Sequence, residues 1–204
     1  MTRDEIFNTW THGVGVLFTL AMSWLLLIPA YGLGWVGAMS VTVFVCGMLT
    51  MYLASTIYHL WRSSAVKRTL RIIDHIGIYV MIAASYTPIC LCVVGGWLGW
   101  LVLALLWAVV VAGALYKIFL IGRWPALSLG IYLAMGWSGV LMAVPVYRNI
   151  GTAALVCILC EGLFYTSGTY FYARDSRPYY HGIWHLFVLA GSIAHWLAVY
   201  FVVN

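Results

Sequence analysis

Apolar residues run along this chain in blocks long enough to cross a bilayer, with short polar breaks between them. A spanning helix needs about 20 predominantly apolar residues. Seven runs reach that length, at 12–31, 37–60, 72–94, 97–119, 124–145, 150–172 and 181–203. Two breaks, 32–35 and 95–96, are minimal turns, whereas 62–71 and 174–180 are polar linkers. Pro88 inside the third run predicts a kink, because proline lacks the N–H that would continue the helical ladder. Trp10, Trp35, Trp61, Trp97, Trp100 and Trp124 stand near the predicted helix ends, where aromatic belts form. The pattern predicts an all-α polytopic membrane protein of seven transmembrane helices, one domain over residues 1–204. The first run follows a short polar start without a small-residue cleavage site, so it reads as a retained anchor.

Composition reinforces this reading. The chain is 65% hydrophobic and 7% charged, with a mean hydropathy of +1.00. Soluble domains carry about 25% charged residues, and a water-soluble fold of this size could not hide so much apolar surface. The ten Lys and Arg outnumber five Asp and Glu. They cluster between the apolar runs, as orientation signals do, which argues against a nucleic-acid footprint. Nine of the ten (Arg3, Arg62, Lys67, Arg68, Arg71, Lys117, Arg123, Arg174, Arg177) fall on one side of the predicted membrane and only Arg148 on the other. That asymmetry predicts a multi-pass plasma-membrane protein with a cytoplasmic N-terminus and an external C-terminus. It is the reverse of the G-protein-coupled receptor orientation. Five cysteines, all inside apolar runs, exclude a disulfide framework.

The polar residues within the runs carry the candidate chemistry, since ionisable groups in a membrane are costly and mark function. Glu5, Asn8 and His12 share one face at the entry to the first helix, Ser55 and His59 lie one turn apart at the end of the second, Asp74 and His75 open the third, and His181 and His185 lie one turn apart at the start of the seventh. With the topology set by Lys and Arg alone, these clusters fall in one cytoplasmic layer. His181-x-x-x-His185 stacks two imidazoles on one helix face, and His59 adds a third nitrogen at the same depth. Three histidines with an open fourth position describe a catalytic zinc site, although imidazole also suits iron, copper and nickel. Packing histidines are the alternative.

Asp74 reads as a second-shell acceptor, a fourth ligand, an N-cap of the third helix or a salt-bridge partner of Arg71. Ser55 either bonds back to its own helix or holds Asp74 or a water. His12, with Glu5 and Asn8, either borders the site or anchors the first helix. His75 lies about 100° around the helix from Asp74 and faces the centre poorly. His195 is roughly 15 Å deeper than His185 and reads as a hydrogen-bonded core residue. Glu161, central in the sixth run, is either protonated and packed or part of a polar cavity leading to the site.

These residues resemble a known family. Asp4-Glu5-Ile6-Phe7-Asn8-Thr9-Trp10-Thr11-His12-Gly13, Ser55-Thr56-Ile57-Tyr58-His59, Ile73-Asp74-His75 and His181-Gly182-Ile183-Trp184-His185 are similar to segments of the haemolysin III family, bacterial relatives of the progestin and adipoQ receptors. Tyr86-Thr87-Pro88 and Tyr132-Leu133-Ala134-Met135-Gly136-Trp137 resemble it too. The resemblance implies seven helices, a cytoplasmic N-terminus and a zinc ion on the histidines matching His59, His181 and His185, with Asp74 and Ser55 supporting water at the zinc. It also implies kinship with alkaline ceramidases and chemistry on lipid amides. Glu161 lies outside the pattern.

Three functions follow as expectations. The first is zinc-dependent hydrolysis of a lipid amide or ester, with membrane lipids as bilayer and substrate and Asp74 and Ser55 in catalytic roles. The second is a non-enzymatic sensor of membrane state with structural zinc. The third, pore formation, is suggested only by the family's name, and polar groups gathered at one surface argue against it. Haem between histidines fits less well than a single ion, because two of the ligands share one helix.

Overall fold

Every predicted apolar run lies in helix. The computed structural model describes all 204 residues and contains no strand. Eight α-helices follow one another: α1 (Arg3–Met22), α2 (Trp24–Ala30), α3 (Gly34–Leu60), α4 (Ser64–Pro88), α5 (Gly96–Leu120), α6 (Pro125–Trp137), α7 (Ala143–Tyr172) and α8 (Tyr180–Val203). They compose five stretches long and apolar enough to cross a membrane: Arg3–Leu60, Ser64–Val94, Gly96–Leu120, Pro125–Tyr172 and Tyr180–Val203. Two of these, of 58 and 48 residues, far exceed the roughly 20 residues that one crossing needs.

The seven runs merge into five stretches because the breaks are so tight. Between α2 and α3 the chain passes through one 3-10 turn, Tyr31–Leu33, and then Gly34 at φ 74°. Inside α7, Gly151 at φ 84° interrupts the helical conformation. Both sit in the left-handed region that glycine enters without a Cβ penalty, so helix follows helix without intervening coil. α1 and α3, which belong to the same stretch, pack against each other.

α4 begins at Ser64, well before the predicted start at 72, because the Lys67, Arg68 and Arg71 segment is itself a good helix former. Asp74 therefore lies ten residues inside the helix, which removes its reading as an N-cap. Likewise α1 starts at Arg3, capped by the Thr2 side chain accepting from the Glu5 N–H at 3.2 Å. At Pro88 the α-helix gives way to a π-helical segment, Ile89–Val94. At the junction the Ile89 N–H bonds to the Tyr86 carbonyl three residues back, a tight 3-10-type contact, before the wider π turns begin.

α8 is central, packing against α7, α1, α3 and α4. One buried cluster joins α4, α5, α6 and α7 through Tyr79, Leu106, Tyr132 and Val146. A second joins α1–α3 and α8 around Phe44, Met48, Tyr52 and Val199. The outer face exposes Leu17, Ile28, Leu105, Val111, Leu115 and Leu163, a surface that hydrocarbon wets and water does not. Trp10, Trp35, Trp97, Trp100 and Trp124 are all exposed near helix ends.

Where α5 turns back against the π segment, a Cβ on Gly99 would stand 2.1 Å from the Cys90 carbonyl oxygen. Backbone cannot swing aside as a side-chain tip can. Gly99→Ala is expected to lose about 2 kcal/mol of stability, the usual cost of overpacking, seen as a lowered unfolding temperature in detergent. Gly13→Ala, where a Cβ meets nothing within 4 Å, is the neutral control.

Candidate metal centre

His59 is in the last turn of α3, and His181 and His185 are in the first turns of α8. The structure brings these ends together: one ring nitrogen from each histidine lies within 4.8 Å of the others. The ring centroids are 5.1 Å apart for His59–His181, 5.1 Å for His59–His185 and 4.6 Å for His181–His185. Neutral imidazoles at this separation are a donor set for a transition-metal ion.

Hydrogen bonds fix which nitrogens are offered. His59 Nδ1 lies 2.6 Å from Glu5 Oε2, and a carboxylate accepts, so Nδ1 carries the hydrogen. That leaves the lone pair on Nε2, which is buried and has no partner in the protein. An orphaned buried nitrogen is costly, and a metal ion in the histidine cluster would satisfy it. His185 Nδ1 is held by α1, 3.1 Å from Thr11 Oγ1 and 3.3 Å from the Asn8 carbonyl. Since a carbonyl only accepts, His185 is also protonated at Nδ1, which leaves Nε2 as the nitrogen it could offer to an ion. Metal-bound histidines commonly donate their second nitrogen to a carboxylate or carbonyl in this way.

Glu5 thus joins the candidate site through His59, a contact the sequence did not disclose. Its other oxygen, Oε1, accepts from Lys67 Nζ at 3.3 Å. Lys67 also donates to the carbonyls of Tyr58 (2.9 Å) and Trp61 (3.2 Å) at the end of α3. One lysine thereby ties the free carbonyls of a helix terminus to the carboxylate that orients His59.

His12 borders the site and does more than anchor α1. Its ring stacks on His185 with centroids 3.6 Å apart and planes 18° from parallel, and neither of its nitrogens has a partner. Ser55 makes no bond back to its helix: its Oγ is buried and unpartnered. Asp74 is buried, with Oδ2 3.3 Å from His75 Nδ1, although that nitrogen bonds more closely to the Arg71 carbonyl at 2.8 Å. No salt bridge to Arg71 forms.

The cluster sits between two spaces. On one side a polar vestibule is lined by Asp4, Glu5, Arg71, Asp175, Arg177, His59 and His181. On the other, a long and mostly apolar cavity is lined by His12, Ser55, Asp74, His181 and His185 at one end and by Ile89, Met142 and Val146 farther in. His181 and His75 line both. Glu161 and His195 also line this cavity, so Glu161 does face a space that leads to the histidines, but the space is mostly apolar and not the polar cavity expected. His195 is the hydrogen-bonded residue expected, with Nδ1 2.6 Å from Glu161 Oε2 and Nε2 2.9 Å from the Ser85 carbonyl.

Comparison with known proteins agrees with the resemblance read from the motifs. The family model described as "Haemolysin-III related" matches residues 1–196. A "Hemolysin-3 homolog" of Bacillus subtilis (strain 168) is 39% identical over 201 residues, 98% of this chain and 94% of that protein. "Hemolysin-3" of Bacillus cereus is 35% identical over 98% of this chain and 92% of its own length. A "Heptahelical transmembrane protein ADIPOR2" of Oryza sativa subsp. japonica is 30% identical over 79% of this chain and 81% of its length. With its all-helical, lipid-facing architecture and a match over nearly its whole length, the chain belongs to the haemolysin III family of multi-pass membrane proteins.

Proposed function

We propose that this chain is a zinc-dependent hydrolase of a lipid amide or ester. The observation that carries the reading is the position of the histidine cluster, on the partition between a polar vestibule and an apolar cavity and reached from both. A hydrolase of membrane lipids must bring water and an acyl chain to the same point.

The metal ligands are His59, His181 and His185. A zinc ion supplies a Lewis acid for the substrate carbonyl and makes water acidic enough to attack near neutral pH. The apolar cavity takes the acyl chain, so that the carbonyl comes to rest at the cluster. Asp74, lining that end of the cavity, takes the proton of the attacking water. The water oxygen bonds to the carbonyl carbon, the C–N or C–O bond breaks, and the proton passes from Asp74 to the departing nitrogen or oxygen. Ser55, whose hydroxyl has no partner in the protein, orients the water or the Asp74 carboxylate. Glu5 and Thr11 hold His59 and His185 in their ligating tautomers.

The topology belongs to the same proposal. The chain crosses the membrane seven times, the 58- and 48-residue stretches each folding back at their glycine breaks, with the N-terminus in the cytoplasm. The nine-to-one asymmetry of Lys and Arg supports this orientation, and the word "heptahelical" in the name of the rice relative supports the count. The vestibule, bearing Arg71 and Arg177, then opens to the cytoplasm.

The test is hydrolysis of fluorogenic amides and esters of fatty acids by purified protein. Turnover that is lost on chelation, restored by zinc and absent from Asp74→Asn supports the proposal. Metal-loaded protein that is chelation-sensitive in stability yet turns over none of these lipids points instead to a sensor with structural zinc.

A further inference from the structure

Partway along the apolar cavity lies a polar pair with no part in the reaction above. Glu161 on α7 and His195 on α8 meet at 2.6 Å, ten residues beyond His185 along α8. That is roughly 15 Å from the metal ligands by helix rise. His195 Nε2 faces the Ser85 carbonyl at 2.9 Å, in the helical turn just before Pro88 and the π-helical segment Ile89–Val94. Such π segments recur at functional sites, and the Ser85 carbonyl that meets His195 lies one turn before this one.

Proton bookkeeping follows from the partners. A carbonyl only accepts, so Nε2 carries a hydrogen. One further proton lies between Nδ1 and Glu161 Oε2. Whether it rests on nitrogen or on oxygen, the pair is net neutral, so the membrane interior tolerates it where a lone carboxylate would be costly. All of the pair's hydrogen-bonding capacity is then spent except at Glu161 Oε1, which makes no hydrogen bond in the protein, and Glu161 lines the cavity. The site is an acceptor in a net-neutral pair, partway along an otherwise greasy channel. Its natural complement is a hydroxyl, which donates one hydrogen bond and brings no charge into the membrane.

We propose that Glu161 and His195 form a second recognition site, which selects lipids with a hydroxyl group partway along the acyl chain. The inference rests on the reading that the cavity takes an acyl chain whose carbonyl end lies at the histidine cluster, and it deepens that reading by naming the substrate class. Glu161 Oε1 accepts from the chain hydroxyl, and His195 holds the carboxyl group in place through Oε2.

Binding of ricinoleic acid and of oleic acid to the metal-loaded full-length protein tests this directly. The two differ by one mid-chain hydroxyl, which lies at a comparable distance from the carboxyl group. Ricinoleic acid is expected to bind about tenfold more tightly, the effect of one well-formed buried hydrogen bond. Glu161→Leu should abolish the preference while retaining affinity for oleic acid. Where that variant fails to fold, the wild-type ratio stands alone as the measurement, and Glu161→Gln, which keeps the side chain's size, should reduce the ratio. Equal affinities in the wild type, binding of neither acid, or a preference unchanged in the Glu161 variants overturns the proposal. The hydroxyl preference without any lipid hydrolysis would defeat the hydrolase reading alone. Hydrolysis of unsubstituted and hydroxylated chains at equal KM, with equal binding, would defeat the recognition site alone.

Discussion

Protein carrying His59→Ala is expected to purify without its metal. The three histidines come from two helices, and His181 and His185 sit on the same turn-to-turn face of α8, so they alone leave the ion open on the α3 side. Structural zinc is held by about 10–16 kcal/mol over four ligands. One ligand is therefore worth roughly 3 kcal/mol, a loss of more than a hundredfold in affinity. The substitution should leave the fold intact, because Glu5 keeps its ion pair with Lys67 and Lys67 still ties down the end of α3. Metal content by mass spectrometry, read beside the circular dichroism of the same sample, checks this. A folded variant with unchanged metal content would remove His59 from the site.

The second large effect is expected at Glu5, which touches no metal. Glu5→Ala removes the acceptor that holds His59 Nδ1–H at 2.6 Å, so the ring can turn or change tautomer and Nε2 is no longer presented. Removing such outer partners typically costs 10- to 100-fold in metal affinity. Glu5→Gln, which keeps an acceptor oxygen, should recover part of the loss, whereas Asp4→Ala should change nothing of the kind. Competition with a chelating dye measures the series. A merely structural role for Glu5 would lower the unfolding temperature and leave the affinity of the folded protein unmoved.

Much of the architecture was legible in the sequence because the bilayer imposes a one-dimensional rule. Long apolar runs must become helices, and they do. What the runs could not convey was how the breaks are made. Gly34 and Gly151 turn the chain without leaving helical hydrogen bonding for long, so seven runs become five continuous stretches. α4 starts earlier than the charge pattern predicts, because Lys67, Arg68 and Arg71 read as linker by charge and yet favour helix.

The histidine cluster was legible because two independent constraints coincided: i, i+4 spacing on α8 and equal depth on α3. Glu5 was harder. Its spacing with Asn8 and His12 marked a polar face, but only the packing of α1 against α3 and α8 reveals that this face grips the outer nitrogens of His59 and His185. The Glu161–His195 pair could have been found by depth. Glu161 lies 13 residues before Arg174 and His195 lies 15 after Tyr180, so two antiparallel helices joined by that linker bring them level. Taken singly, His195 reads as a hydrogen-bonded core residue and Glu161 as a charge in a costly place; only their shared level names each as the other's partner.

The most direct test of the metal centre is X-ray absorption spectroscopy of the purified protein, combined with its metal content. The expected result is about one zinc ion per chain, bound by three imidazole nitrogens at roughly 2.0–2.1 Å with an oxygen in the fourth position, and lost in both His59→Ala and His185→Ala. A protein that purifies with no transition metal and binds none on addition, or one whose metal survives both substitutions, would contradict it.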